Sequence, residues 1–398
     1  MRDVIELRVP DRVPFSFFVE PHTYCGIPNS AAYYDPLTFK RATRKIAVDL
    51  EPDMCEGGLP RSGDAMTEMD VKTMVWPGGP KPPDFEYQFI EGEYMKEDEY
   101  DMFLNDPSGF MIRRYLPRIY GALEPLSKLP PLDSMYMGFD ALTPLFLTPE
   151  FIQMAKRLAK AGKHAIKFSK NIGDAYEEMA QLGFPPFARF LPGGVGGAPF
   201  DTVSSFLRGM KGSMLDMYRR PEKLLAACDA ILERRIAHAI PADRTDKDFP
   251  QRVGMPLWRG DPTFMSEAQF RKFYWPGLKK SLQTHVDLGY VPVPFFEAPF
   301  GDRLECLSEL PRGKVLPAIE SADAVRAKEM LGNHSALLVH CPNMFKLWSL
   351  RDVEAFVKDL IDKCGKNGGL IIAIRIPDKA ETRDIQAMLN RLREYARY

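Results

Sequence analysis

The chain after residue 250 alternates between short apolar runs and segments with helical spacing. The runs cover residues 253–257, 291–296, 315–319, 335–339 and 370–374. They are apolar throughout rather than at every second position, which is typical of parallel strands covered on both faces. In the segment 350–364, apolar side chains recur three and four positions apart and define one buried stripe. The pattern predicts five successive strand-helix units and a parallel sheet.

Local signals mark several helices. Ser266 and Gln269 have the spacing of a capping box and predict a helix over residues 266–288. Asp35 followed by Pro36 predicts the start of a helix that runs to about residue 50. Further helices are predicted over residues 221–240, 303–309, 323–331 and 380–395.

Three more strands are predicted upstream, over residues 13–19, 52–55 and 186–191. The total of eight is the number that closes a (β/α)8 barrel. A doubly wound sheet is the alternative, but residues 192–197 (PGGVGG) complete neither its G-x-G-x-x-G turn nor a G-K-[ST] phosphate loop. We therefore predict an α/β fold in which residues 1–398 form a single TIM-barrel domain.

The regular alternation is interrupted between about residues 58 and 186. Turn-rich pieces such as residues 76–83 (WPGGPKPP) and extra helices replace it there. We interpret this stretch as a helical and turn-rich insertion that forms a lid or a pocket wall on the barrel. Within it, Asp70 and Trp76 are weak candidates for lining a pocket for an aromatic ligand.

Charge and cysteine usage narrow the class of protein. The chain has 53 Lys and Arg against 54 Asp and Glu, a net charge of −1, and no basic stripe, which argues against nucleic acid and anionic membrane as partners. The 6 cysteines form no C-x-x-C pair, no apolar run is long enough to span a bilayer, and the N-terminal residues show no secretory or transit pattern. These features predict a soluble protein of the cytoplasm.

Five segments carry a recognisable pattern: residues 92–101 (GEYMKEDEYD), 106–111 (DPSGFM), 116–125 (LPRIYGALEP), 206–221 (FLRGMKGSMLDMYRRP) and 270–280 (FRKFYWPGLKK). They resemble the uroporphyrinogen decarboxylase-like superfamily, in a branch close to the corrinoid-dependent methyltransferases. The resemblance extends over nearly the whole chain. It implies a TIM-type barrel with its site at the carboxyl ends of the strands, in agreement with the strand count.

The superfamily holds at least two chemistries. Its decarboxylases bind porphyrinogen carboxylates through an arginine-containing N-terminal segment, which residues 18–26 (FVEPHTYCG) do not match. Methyltransferases acting on coenzyme M hold zinc through H-x-C and a later Cys, but residues 295–298 and 374–376 lack these sulfur ligands. The resemblance still implies methyl transfer from a small methoxylated donor to a corrinoid protein. This is the reaction of an O-demethylase component.

Two other functions stay open at this stage. One is a decarboxylase acting on a smaller or less charged acid, and the other is a catalytically degenerate barrel with a binding role. For the methyltransferase, the expected partners are a corrinoid protein, which carries the corrinoid cofactor, and a small-molecule methyl donor. A homodimer is common in the superfamily, but no residue pattern here decides it.

Candidate catalytic residues follow the predicted strands, where barrel enzymes keep such groups. Glu297 follows the strand at 291–296 and could protonate a leaving oxygen or bind a metal, or else be a solvated carboxylate paired with Arg303. Glu320 is a second carboxylate at the same rim. Glu20 and His22 follow the first strand, where His22 could act as a general acid or base or be an ordinary loop histidine.

His340 and Cys341 follow the strand at 335–339. Together with Glu297 they would form a mixed nitrogen, sulfur and oxygen set suited to zinc, which is therefore a further candidate cofactor. Adjacent residues on an extended strand point to opposite faces, so shared ligation requires a bend. The alternative is that His340 is hydrogen-bonded and Cys341 is a small buried apolar residue.

Two remaining features have weaker implications. The glycine-rich residues 192–197 could approach a ligand closely or act as a hinge. The methionines are predicted to fill packing gaps or to form an apolar docking face; they are Met135, Met137, Met210, Met214 and Met217.

Overall fold

The computed structural model describes residues 1–55, 60–133, 135–136, 138–173, 175–188, 196–245, 250–378 and 380–398. The end of the predicted strand at 186–191 and most of the glycine-rich segment 192–197 lie outside these ranges. Met137 also lies outside them.

A curled parallel sheet forms the centre of the fold. Its seven strands are ordered β2-β1-β9-β8-β7-β6-β5, and β3 pairs antiparallel with β4 in a separate ribbon. The strands are β1 (Phe15–Phe18), β2 (Met54–Cys55), β3 (Met74–Val75), β4 (Gln88–Phe89), β5 (Arg252–Leu257), β6 (Val291–Phe296), β7 (Ala318–Glu320), β8 (Leu337–His340) and β9 (Leu370–Arg375). This arrangement is consistent with a TIM-like barrel.

All five strands predicted after residue 250 are present, pair in parallel and follow one another in the sheet. The strand predicted at 315–319 is shorter than expected and begins at Ala318. Pro317 explains the difference, because proline has no N–H to donate to the ladder. Its carbonyl still accepts from the Leu338 amide at 2.9 Å.

The eighth strand position is marked by a short segment near residue 186. Pro186 bridges Cys55 in parallel, and the Phe187 amide donates to the Cys55 carbonyl at 2.7 Å. On the other side, the Arg252 side chain donates to the carbonyls of Pro186 and Phe187, both at 2.8 Å. The segment therefore contacts both β2 and β5, the two edge strands of the sheet.

Helices surround the sheet and build the insertion. The α-helices are α1 (Arg2–Ile5), α2 (Pro21–Cys25), α3 (Ala31–Tyr34), α4 (Pro36–Leu50), α5 (Gly63–Met69), α6 (Tyr100–Asn105), α7 (Pro107–Phe110), α8 (Leu116–Ile119), α9 (Pro149–Ile172), α10 (Ala175–Gln181), α11 (Pro199–Thr202), α12 (Gly209–Arg219), α13 (Pro221–Ala237), α14 (Glu267–Gln269), α15 (Trp275–Asp287), α16 (Ala324–Leu331), α17 (Leu350–Cys364) and α18 (Thr382–Tyr395). The 3-10 helices are Gly121–Lys128, Phe139–Leu147, Gly301–Glu309, Ser321–Asp323 and Asn343–Leu347, and the π turns are Met111–Tyr115, Val203–Leu207 and Phe270–Tyr274. None of the helices in the described part of the chain is long and apolar enough to cross a bilayer.

The predicted helix starts are confirmed by their capping contacts. Ser266 and Gln269 form both hydrogen bonds of a capping box, and the Asp35 side chain accepts from the Thr38 amide at 3.1 Å. The helix predicted over 266–288 is not uniform, because a π turn at Phe270–Tyr274 precedes Pro276. Proline cannot donate to the preceding turn, and the wider turn accommodates it.

Two apolar layers explain why the strands are apolar throughout. Alternate residues of each strand face an outer layer beneath the helices or an inner layer enclosed by the curled sheet. Val4 and Ile5 of α1 close the inner layer at the amino ends of the strands. The inner layer consists mainly of Met54, Val291, Val293, Leu316, Ala318, Ala336, Leu338, Ile371 and Ala373.

The stretch predicted as an insertion is built from short elements around one long helix. α9 packs against α5 and α4. A small core of its own contains Tyr33, Met66, Met74 and Trp76. Among the methionines, Met217 is buried in the main core, Met214 packs against it, and Met210 is 42% exposed.

Candidate functional site

Polar side chains from neighbouring strands lie at the carboxyl ends of the strands, on the interior side of the curled sheet. We call this region the mouth. Glu320 and His340, the last residues of β7 and β8, are paired in register, and Arg375 at the end of β9 is paired with Phe18 of β1. Each polar residue stands two positions after a member of the inner layer, as Arg375 does after Ala373. Because side chains alternate along a strand, all three polar groups point to the interior side of the sheet.

The two carboxylates at the mouth influence one another. Glu297 follows β6, and its amide donates to the Leu257 carbonyl at 3.0 Å. Its side chain is reached by solvent, yet it lies in a concave region where desolvation, with the negative charge of Glu320 as the second cause, raises its pKa. Burial also raises the pKa of Glu320, but the charge of Arg375 opposes this. Both carboxylates therefore have a raised pKa, and only that of Glu320 is opposed by a neighbouring cation.

His340 is a neutral imidazole inside the mouth. Its ring lies 4.5 Å from the ring of Phe295 and 6.1 Å from that of Phe187, measured between centroids. Burial and then the charge of Arg375 lower its pKa to about 3. Its Nε2 is buried and has no hydrogen-bond partner in the described part of the chain. His340 therefore cannot donate a proton as a cation near pH 7, but its free nitrogen can bond to a ligand.

Cys341 lies on the opposite face of the same strand from His340. It is 1% exposed and belongs to the outer layer beneath the helices. Within the described ranges, no three His, Cys, Asp or Glu side chains are grouped closely enough to share a metal ion. Because Cys341 lies on the opposite face from His340, the described residues do not bring Glu297, His340 and Cys341 together as ligands of one zinc ion.

The residues after β1 surround the mouth from a neighbouring position. Glu20 lies beside Lys346, with 3.6 Å between Oε1 and Nζ. His22 is on the short helix α2, and its Nδ1 is buried without a hydrogen-bond partner among the described residues. Tyr24 instead donates from its hydroxyl to Asp49 of α4 at 3.1 Å. Glu20 therefore lies beside the loop that follows β8, whereas Tyr24 faces a helix.

Part of the insertion crosses this edge of the sheet. Glu86 binds Lys346 at 3.2 Å, and Glu91 pairs with Arg259, which follows β5. The ring of Phe89 packs edge-on against Phe206 at 5.4 Å. These contacts hold residues 86–91 beside the loops that follow β5 and β8. By contrast, Trp76 is buried in the insertion core and donates to the Tyr34 hydroxyl at 3.1 Å.

A buried carboxylate that the sequence analysis missed organises the loop after β5. Asp201 is 3% exposed and accepts hydrogen bonds from the Tyr274 hydroxyl at 2.7 Å and from the amides of Arg259 and Trp258 at 3.0 and 3.4 Å. Burial raises its pKa to about 7. No motif surrounds Asp201, so the sequence around it gives no sign of this role. The available signal lies in its partner Arg259, which comes just after a predicted strand.

Arg375 was also missed as a site residue. The available signal was a single cation at the end of a run that is otherwise apolar. Its guanidinium lies 4.2 Å from the centroid of the Phe18 ring. No side-chain hydrogen bond or ion pair to a described residue is made by Arg375, Glu297 or Glu320.

Two surface grooves lie away from the mouth. One of ≈ 470 Å³ lies between α7 and α13, and another of ≈ 960 Å³ lies along α18. Neither is lined by Glu297, Glu320 or His340.

Comparisons with known proteins relate the chain to others by fold. No family model matches the chain, and no curated protein matches it. A solved structure, a methyltransferase from Methanosarcina mazei, is similar over 98% of this chain and 96% of that chain. The TM-score is 0.57 and the sequence identity is 14%. At this identity the similarity shows a shared α/β fold over nearly the full length of both chains.

Proposed function

We propose that the chain is a methyltransferase that moves a methyl group from a small methoxylated donor to the corrinoid of a separate protein. The observation that carries the proposal is the set of unpaired polar side chains, from consecutive strands, at the carboxyl edge of the curled sheet. Barrel enzymes place their chemistry at this edge. The full-length similarity in fold to a methyltransferase supports the reaction class, and the sequence resemblance supports a corrinoid acceptor.

Glu297 is the proton donor in this proposal. The oxygen of a methoxy group leaves poorly as an anion, so breaking its bond to the methyl carbon requires a proton on that oxygen. The corrinoid of the partner supplies the nucleophile that takes the methyl group. Glu297, whose pKa is raised, delivers its proton to the oxygen as that bond breaks. The donor then leaves as an alcohol or phenol, and Glu297 becomes a carboxylate.

Glu320 and His340 set the conditions for this step. The negative charge of Glu320 keeps the Glu297 pKa raised, and Arg375 favours the ionised form of Glu320. His340 stays neutral and presents its unpaired Nε2 to the donor. The proposal therefore assigns proton donation to Glu297, modulation of its pKa to Glu320, and a hydrogen bond from an uncharged ring to His340.

The proposal includes a closed (β/α)8 barrel that carries residues 58–186 as an insertion. In this proposal, the insertion supplies a wall beside the mouth and a surface for the partner. The side chains of Phe85, Tyr87, Phe89 and Ile90 are between 39% and 63% exposed next to this edge. Exposed apolar patches of this kind mark protein interaction sites. A corrinoid protein that docks there would bring its cofactor to the mouth.

The test is a transfer assay with the purified chain and 2-methoxyphenol as the donor. Free cob(I)alamin is the first acceptor and a reduced corrinoid protein is the second, with the corrinoid absorption spectrum and the demethylated product as readouts. We expect product only when an acceptor is present. Product formed at the same rate without any acceptor contradicts the proposal. Carbon dioxide released from a carboxylic acid, with no methyl transfer, would instead favour the decarboxylase.

A further inference from the structure

Arg375 has an unusual environment for an inward-facing arginine. A guanidinium carries five N–H donors. Arg375 is partly buried, and the fully buried arginines in the described part of the chain use their donors. Arg208 binds Asp216 at 2.6 Å and the Met95 carbonyl at 2.8 Å, and Arg303 binds the carbonyls of Gly260 and Met265. Arg375 makes neither a hydrogen bond nor an ion pair with any described residue. No residue in the described part of the chain therefore occupies its donors.

The surroundings of Arg375 are those of a binding site rather than of open solvent. Its guanidinium lies over the Phe18 ring at 4.2 Å, which holds the group in a fixed plane. His340 is more than nine-tenths buried, and its Nε2 has no partner in the described part of the chain. Phe295 packs against the His340 ring. The mouth thus combines a cation, an uncharged nitrogen and aromatic faces.

We propose that Arg375 binds a carboxylate of the substrate, and that the substrate is a small planar organic acid. A guanidinium binds a carboxylate through two parallel hydrogen bonds, a geometry that a hydroxyl or an amide does not match. The planar body of the acid packs against Phe18 and Phe295, and His340 Nε2 bonds to one of its polar groups. The inference rests on the proposed function, because it names the class of methyl donor that the same mouth takes.

Glu320 also influences how strongly an anion binds at Arg375. It lies close enough to Arg375 for the positive charge to oppose the rise of the Glu320 pKa. Glu320 repels an anionic ligand at this position, whereas Arg375 attracts it. Removing the Glu320 charge should therefore strengthen the binding of a carboxylate, whereas removing the Arg375 charge should weaken it.

The experiment measures binding without any corrinoid, using calorimetry on the full chain. The probes are 4-methoxybenzoate and its uncharged analogue 4-methoxybenzamide. We expect Arg375→Gln to weaken 4-methoxybenzoate binding at least tenfold and to leave 4-methoxybenzamide unchanged. Arg375→Lys should be intermediate, because an ammonium retains the charge without the planar fork. The matched control is Arg383→Gln, an exposed arginine of α18, which should not change the affinity for either probe.

A second variant covers the case in which Arg375→Gln does not fold. Glu320→Gln keeps the size of the side chain and should tighten 4-methoxybenzoate binding several-fold without affecting the amide. Equal affinity of the wild-type and Arg375→Gln proteins for 4-methoxybenzoate would overturn the inference. So would equal losses for both probes, or the absence of binding of 4-methoxybenzoate to the wild-type protein.

The two proposals fail in different ways. If 4-methoxybenzoate binds through Arg375 but no methyl group reaches an acceptor, the proposed function is wrong and the carboxylate site stands. If the uncharged donor 2-methoxyphenol is demethylated but Arg375→Gln does not change the affinity for 4-methoxybenzoate, the proposed function stands and the carboxylate site is wrong.

Discussion

Glu320 and His340 are directly paired on adjacent parallel strands, and both side chains enter the interior of the curled sheet. Cys341, one position further along, faces the outer apolar layer. The strand end therefore separates a polar group of the site from a sulfur atom that is its immediate neighbour in sequence. The mouth is therefore lined by carboxylates, an imidazole and an arginine, without the sulfur atom of Cys341.

Glu297→Gln tests the proton donor. We expect the rate of demethylation to fall by about 10²–10⁴-fold, the usual contribution of a general acid. The loss should be smaller for donors whose oxygen leaves as a more stable anion, because these need the proton less. Rates for a series of substituted methoxyphenols measure this dependence. Glu305→Gln, at an exposed position of the following 3-10 helix, is the control and should retain full activity.

The dependence of activity on pH follows from the raised pKa of Glu297. The protonated form is the active one, so kcat/KM should decline as the pH rises through that raised pKa. Glu320 is one of the two causes of the shift. Glu320→Gln should therefore lower the Glu297 pKa and move the decline to lower pH. A pH profile that is identical in the two proteins would show that the carboxylates are not coupled.

His340 and Cys341 should respond differently to substitution although they are adjacent. His340→Asn removes the unpaired Nε2 from the mouth, and we expect at least a tenfold loss of activity with a small change in stability. Cys341→Ala removes a sulfur atom from the outer layer and should cost about 1 kcal/mol of stability while activity is retained. Activity assays combined with urea unfolding separate these effects. Loss of a stoichiometric metal from both variants would contradict the arrangement described above.

Asp201 should make the stability of the fold depend on pH. Its pKa is raised from 3.8 to about 7, so the folded state binds more protons than the unfolded state between these values. The free energy of unfolding should therefore decrease as the pH rises from about 4 to about 7, by on the order of 4 kcal/mol. Asp201→Asn should flatten this slope. Asp140→Asn, an exposed carboxylate, should leave it unchanged in the same unfolding series.

Arg208 and Asp216 form a buried ion pair whose loss should be costly. The two side chains are 3% and 1% exposed, and the Tyr100 hydroxyl also donates to Asp216 at 2.8 Å. Arg208→Met leaves the buried Asp216 carboxylate with the Tyr100 hydroxyl and a longer contact to Arg220 at 3.6 Å, and should destabilise the protein by up to roughly 3–5 kcal/mol. The exposed pair of Arg326 with Asp302 provides the comparison. Arg326→Met should leave the midpoint of chemical unfolding almost unchanged.

The patterns along the chain predicted the parallel strands after residue 250 and the starts of two helices. Apolar runs without alternation identified the parallel strands, because side chains on both faces of this sheet are buried. Capping residues such as Asp35 and Ser266 located helix starts to the residue, since these signals act over three or four positions. The placement of Glu297, Glu320 and His340 at strand ends followed from the same local patterns.

Only the tertiary structure decided which of these residues meet. The register of β7 against β8 places Glu320 opposite His340, and the curl of the sheet turns Arg375 toward both. Long-range packing brought Asp201 to the loop after β5 from a helix more than fifty residues away in sequence. Such contacts depend on strand register, sheet curvature and long-range packing, which no local pattern of residues encodes.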